Sequence, residues 1–108
     1  DRRAVEIVRE GLLGVVAHER GTGRAAAIPD AAVAGKTGTA QNPHGEDHAL
    51  FVAYAPADEP EITIAIVMEN AGHGGSMAAP IARRVLAAYF APPEGPPVPA
   101  DLALGGGR

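Results

Sequence analysis

Cysteine is absent from the 108 residues, which removes disulfides, thiolate nucleophiles and cysteine-ligated zinc, and leaves the redox compartment open. Tryptophan is absent as well, and aromatic residues make up only 4% of the chain. With 9 basic against 13 acidic residues, a net charge of −4 and no dense Lys/Arg stripe interleaved with aromatics, nucleic acid is not an expected partner. No apolar run reaches the roughly 18 residues that a membrane-spanning helix needs. The opening "DRRAVEIVRE" carries neither an initiator methionine nor the apolar stretch of a signal peptide, so the chain reads as a piece of something longer.

The length, with 46% hydrophobic and 20% charged residues, fits one small globular domain. A chain of this size buries roughly 60–68% of the surface it exposes when unfolded, so most apolar segments must find partners. Val5, Val8, Leu12, Val15 and Val16 recur at three- and four-residue steps and predict an amphipathic helix from Asp1 to about His18. It ends in "HERGTGR", where Gly21 and Gly23 are expected to supply positive φ. "AAAIPDAAVA", broken by Pro29, predicts a loop leading into a strand.

"NPHGED" is dense in turn formers, "HALFVAYAP" reads as a strand closed by Pro56, and "ADEPE" as the next turn. "ITIAIVMEN" is β-branched and nearly continuous in apolar residues, which predicts a strand buried on both faces. A second helix follows in "MAAPIARRVLAAYF", with Ile81, Val85, Leu86, Tyr89 and Phe90 on one side, Ser76 as N-cap and Pro80 in the first turn. Helix, three strands, helix with short connections implies an α+β fold: a three-stranded antiparallel sheet with a helix on each face. Residues 1–90 form the packed part, and the tail "APPEGPPVPADLALGGGR" is expected to be a disordered terminus over residues 91–108.

The stretch that carries chemistry is "AGKTGTAQ", Ala34 to Gln41. A phosphate-cradling loop needs G-x-x-x-x-G-K-[ST] followed by a helix. Here the position of its first glycine holds Asp30, and Gly38, Pro43 and Gly45 interrupt any helix downstream. The other reading is the K-T-G strand of the serine acyltransferases that react with penicillin. "AGKTGTAQ", "DHALFVAYAP", "ITIAIVMEN" and "GHGGSMAAPIARRVLAAYF", in that order, resemble the end of the transpeptidase domain of class B penicillin-binding proteins of the penicillin-binding protein 2 type. The resemblance covers roughly Asp1 to Phe90 and implies a fragment of the fold shared by penicillin-binding proteins and serine β-lactamases.

That resemblance implies roles. Lys36 and Thr39 would be catalytic, the ammonium of Lys36 favouring an anionic intermediate and the backbone N–H of Thr39 forming half of an oxyanion hole. Thr37, Gly38, Thr39 and Gln41 would bind substrate, the hydroxyls meeting a substrate carboxylate and the bare Gly38 letting a peptide lie along the strand. Asp47 and His48 would shape the cleft wall. The implied parent is a peptidoglycan D,D-transpeptidase outside the cytoplasmic membrane, acylated on serine by a stem peptide or a β-lactam, with no metal or organic cofactor. Its nucleophile would sit in S-x-x-K, yet the single serine here is Ser76, followed by "MAAP". The expected partner is therefore the upstream half of the domain, and the chain alone is expected to be inactive.

Other polar residues have simpler readings. His44 and His48 stand four apart in "HGEDH", but Pro43 and Gly45 argue against the helix that would bring both rings to one metal. Glu69 and Asn70 read as an ordinary polar strand end. His73 reads first as a loop residue bonded to neighbouring backbone, and second as a contributor to the cleft. In the family, a strand from the upstream part flanks "ITIAIVMEN", so its open apolar edge is expected to pair with another chain, a second copy included.

Overall fold

The computed structural model describes residues 1–91. Helix α1 (Arg2–Ala17) is followed by strands β1 (Ala34–Ala40), β2 (His48–Ala55) and β3 (Ile62–Met68) and by helix α2 (Ala79–Phe90). A 3-10 turn at Arg24–Ala26 precedes β1, and a wide π-type turn at Gly74–Ala78 runs into α2. The strands form one antiparallel sheet in the order β1-β2-β3. The tail beyond residue 91 lies outside the described residues.

Local chemistry explains several element ends. The Asp1 carboxylate accepts from the Arg3 N–H at 2.9 Å and caps α1, satisfying one of the donors that a helix start leaves free. β2 closes at a cis Ala55–Pro56 bond. β3 closes at Asn70, whose φ of 54° is a left-handed conformation that asparagine tolerates better than most residues. Its side-chain oxygen accepts from Asn42 Nδ2 at 2.6 Å, and its N–H donates to His48 Nδ1 at 3.0 Å.

Register decides what each face holds. Ala49, Phe51, Ala53 and Ala55 of β2 pair with Met68, Ile66, Ile64 and Ile62 of β3, and this face is the core side. Val33, Ala26, Ala78, Ala79, Ala82 and Leu86 close over it. Phe51 and Leu86 are the largest fully buried side chains. Helix α1 leans on β1, with Val15 and Val16 joining the core, while Leu12 shares a hollow with Val52, Tyr54 and Thr63 of the opposite face.

Four expectations need correction. β3 is covered on one face only: Thr63, Ala65 and Val67 alternate outward, and Val67 is 63% exposed. The buried side of α2 is Ala79, Ala82 and Leu86, whereas Ile81, Val85 and Tyr89, four apart, face outward among the described residues. The small residues win the inner face because α2 sits close against the 3-10 turn, where alanine leaves room and isoleucine does not. Ser76 does not cap α2; its hydroxyl donates to the His73 carbonyl at 3.3 Å inside the π-type turn, and the capping position is Ala78. Gly21 and Gly23 do not adopt positive φ, a conformation confined among described glycines to Gly72. Glycine is needed at 21 because a Cβ there would lie 2.6 Å from the Gly14 carbonyl oxygen.

Phe51→Ala is expected to lower stability by about 3–5 kcal/mol, the range for emptying a buried aromatic site. Val67→Ala should change it by no more than about 0.5 kcal/mol, as for exposed positions. Urea unfolding of both variants checks the assignment of core and outer face, and similar losses would contradict it.

Candidate functional site

The K-T-G stretch lies within β1, an edge strand whose outer side has no strand partner among the described residues. Lys36 is thus inside a strand and no helix opens after it, which removes the geometry of a phosphate-binding loop. An edge strand keeps alternate N–H and C=O groups free along its outer side, available to a second extended chain.

Alternation divides the motif. Lys36 is opposite Val52 and Gly38 opposite Leu50, so both belong to the outer face of the sheet. Thr37 is opposite Phe51 and Thr39 opposite Ala49, so their side chains rise on the core side, at its rim. The edge of β1 is consequently bordered by an exposed ammonium on one side and two hydroxyls on the other, and on the ammonium side Gly38 adds no side chain. Lys36 Nζ donates to the Thr37 carbonyl at 2.8 Å, which folds the side chain back along its own strand.

The two threonines line a groove of about 440 Å³ together with Thr22, His73, Gly74, Gly75 and Ser76. Thr37 Oγ1 donates to Thr22 Oγ1 at 3.0 Å, and Thr39 Oγ1 faces His73 Nδ1 at 3.5 Å, the long end of a hydrogen bond. Backbone crowding shapes the opposite wall. A Cβ on Gly74 would lie 2.7 Å from the Gly38 carbonyl oxygen and 3.1 Å from its nitrogen, and would meet the Leu50 carbonyl as well. The π-type turn therefore rests directly on the β1–β2 ladder, at a rung where neither strand has a side chain on that face. Gly75 approaches the Thr22 carbonyl just as closely.

Other expected site residues lie elsewhere. Gln41 follows β1 and lines a separate shallow hollow with Asn42, Pro43 and Asp47. Asp47 holds the β1–β2 connection: its carboxylate accepts from the Asn42 N–H at 3.2 Å and its carbonyl from Ala71 and Gly72. His48 accepts from Asn70 N–H. Asp47 and His48 thus act as turn fasteners and do not reach the threonine groove. His73 does reach it, in line with its second reading, while remaining a loop residue whose carbonyl is bonded to its neighbours Ser76 and Met77. Thr22 was not singled out by sequence reasoning at all; the only local sign of it is a hydroxyl between two glycines. Among the described residues no group of three or more histidines or carboxylates is placed to hold a metal ion, and no helix is long and apolar enough to cross a membrane.

Residues 1–87 match the family model for the penicillin-binding protein transpeptidase domain. The chain is 43% identical over 103 residues to the peptidoglycan D,D-transpeptidase MrdA of Haemophilus influenzae, covering 81% of this chain and 16% of that protein. It is 39% identical over 116 residues to MrdA of Acinetobacter baumannii, covering 93% of this chain and 17% of that protein. Its fold is similar to Pseudomonas aeruginosa PBP2 crystallised with WCK 5153, with a TM-score of 0.77 and 39% identity over 95% of this chain and 23% of that one. It is also similar to penicillin-binding protein A from M. tuberculosis in a ceftriaxone acyl-enzyme complex, with a TM-score of 0.63 and 36% identity over 74% of this chain and 19% of that one. The chain thus spans about a sixth of the length of these curated relatives.

Gly74→Ala is expected to cost about 1–3 kcal/mol through overpacking and to shift the amide resonances of Thr39 and His73. Gly11→Ala, where nothing lies within 4 Å of an added Cβ, should stabilise α1 by about 0.5–1 kcal/mol. Thermal unfolding and heteronuclear NMR of the two variants check this, and an unshifted Thr39 in Gly74→Ala would contradict the close stacking.

Proposed function

The chain belongs to the penicillin-binding protein transpeptidase family, and on that premise we propose that it forms one wall of the cleft in which a serine D,D-transpeptidase cross-links peptidoglycan. The observation that carries the reading is the division of β1: Lys36 on one side of a free strand edge, Thr37 and Thr39 on the other.

The chemistry follows from that division. A stem peptide ending in D-Ala-D-Ala lies along the edge of β1 as an added strand, with Gly38 leaving room for its backbone. The terminal carboxylate meets the hydroxyls of Thr37 and Thr39. The reactive carbonyl meets the Thr39 N–H, which stabilises the oxyanion when a serine hydroxyl attacks. Lys36 supplies positive potential from the other side of the edge. D-alanine leaves, an acyl-enzyme remains, and an amine of a neighbouring stem peptide takes the acyl group. β-Lactams enter the same site with their own carboxylate in place of the peptide's. The sequence contains no S-x-x-K, so the nucleophile comes from polypeptide outside this chain. The reaction takes place on the outer side of the cytoplasmic membrane.

The outer edge of β3 is the other surface this reading accounts for. β3 ends the sheet with Ile62, Ile64 and Ile66 half-buried, and in the complete domain we assign that edge to the upstream half. Alone, the chain pairs there with a second copy.

A fluorescent penicillin tests the catalytic reading. The full-length protein that carries this chain is expected to become covalently labelled, with Lys36→Ala slowing acylation by about 10²–10³-fold, the scale on which a single electrostatic contributor acts. The 108-residue chain alone should stay unlabelled, and its covalent labelling would contradict the assignment of the nucleophile elsewhere. In sedimentation, the isolated chain should dimerise with rising concentration; a persistent monomer would count against pairing at the β3 edge.

A further inference from the structure

Each β1 hydroxyl that lines the groove is backed by a second polar group: Thr37 by Thr22 and Thr39 by His73. A threonine hydroxyl carries one proton, so a threonine that donates it to a protein acceptor has none left for a ligand. Both backing groups can act in either direction. Thr22 can accept from Thr37 or, after rotation of its hydroxyl, donate to it. His73 Nδ1 accepts from Thr39 when the ring proton is on Nε2 and donates to it when the proton is on Nδ1.

We propose that Thr22 and His73 are positioning residues that set the donor direction of Thr37 and Thr39 and thereby make the groove selective for carboxylate-bearing ligands. The inference rests on the proposed function above and extends it to two residues outside the K-T-G strand. When a carboxylate is present, Thr22 donates to Thr37 and Thr37 to the carboxylate, while His73 Nδ1–H donates to Thr39 and Thr39 to the same group. Hydrogen bonds in such a chain polarise one another, so the backing donors strengthen the outer ones. Without a carboxylate the same two hydroxyls can instead donate to Thr22 and His73, the groups they pair with in this structure. Nothing covalent is involved.

The local architecture supports a built arrangement. Thr22 is carried by the loop in which the Gly23 N–H donates to the Val15 carbonyl at 2.8 Å, and a Cβ on Gly23 would lie 2.9 Å from the Phe51 ring. His73 is carried by the backbone that Gly74 presses onto the β1–β2 ladder, and its carbonyl accepts from Ser76 Oγ and from Met77 N–H. Both residues are exposed, so substituting them leaves the core intact.

The test compares second-order acylation rates of the full-length protein with a fluorescent penicillin and with the same compound methylated at its carboxylate. The wild type should prefer the free carboxylate. His73→Phe and Thr22→Val should each reduce that preference by about three- to tenfold, the effect of one hydrogen bond, with little change in the rate for the ester. His73→Gln and Thr22→Ser, which keep a donor, should retain most of it. A wild-type protein that labels without preferring the carboxylate overturns the carboxylate role of the threonines and this inference with it. A wild-type preference that survives His73→Phe and Thr22→Val overturns the inference alone. A loss in His73→Phe that His73→Gln fails to restore also overturns it, since ring volume and not hydrogen bonding would then be responsible.

Discussion

The site depends on direct contact between backbones at the β1–β2 ladder. Gly74 stands on the rung that joins Gly38 to Leu50, and Gly75 stands against the Thr22 carbonyl, at separations that no side chain fits. Two loops distant in sequence are thus pressed onto one edge strand, and the groove is what remains between them. Phe51 supports this from below: its ring fills the space beneath both Gly23 and Gly35, so the core residue that anchors the sheet also fixes the loop that carries Thr22. Packing and recognition are coupled through the same few atoms.

Much of this was legible beforehand. The three- and four-residue spacing of valines and leucines predicts α1, and the Asp1 cap that fixes its start is a local event. β-Branched runs bounded by proline and turn formers predict β2 and β3. The K-T-G stretch is expected in a strand because glycine and proline exclude a helix after it, and it is found in one. Period-two alternation then requires Thr37 and Thr39 to share a side of that strand.

What the sequence hid depends on contacts made at a distance. Thr22 and Thr37 are fifteen positions apart and His73 and Thr39 thirty-four, and nothing local announces either meeting. Ser76 resembles an N-cap because its neighbours resemble a helix start, but the chain first makes a wide turn to bring Gly74 onto the sheet, and the cap position moves to Ala78. In α2, hydrophobicity alone selects Ile81, Val85 and Tyr89, whereas the close approach of neighbouring backbone selects alanine. The resemblance alone suggests Asp47 and His48 for the cleft wall, and the contacts they make here, with Asn42 and Asn70, close the turn.

The central claim is that the outer edge of β1, between Lys36 and the two threonines, receives the acyl donor. A crystal structure of the full-length protein acylated by a penicillin tests it most directly. The account predicts the ligand carboxylate within about 3.2 Å of the Thr37 and Thr39 hydroxyls, with the acyl carbonyl oxygen accepting from the Thr39 N–H. A ligand bound covalently but seated away from β1, with that edge still bare, would contradict it.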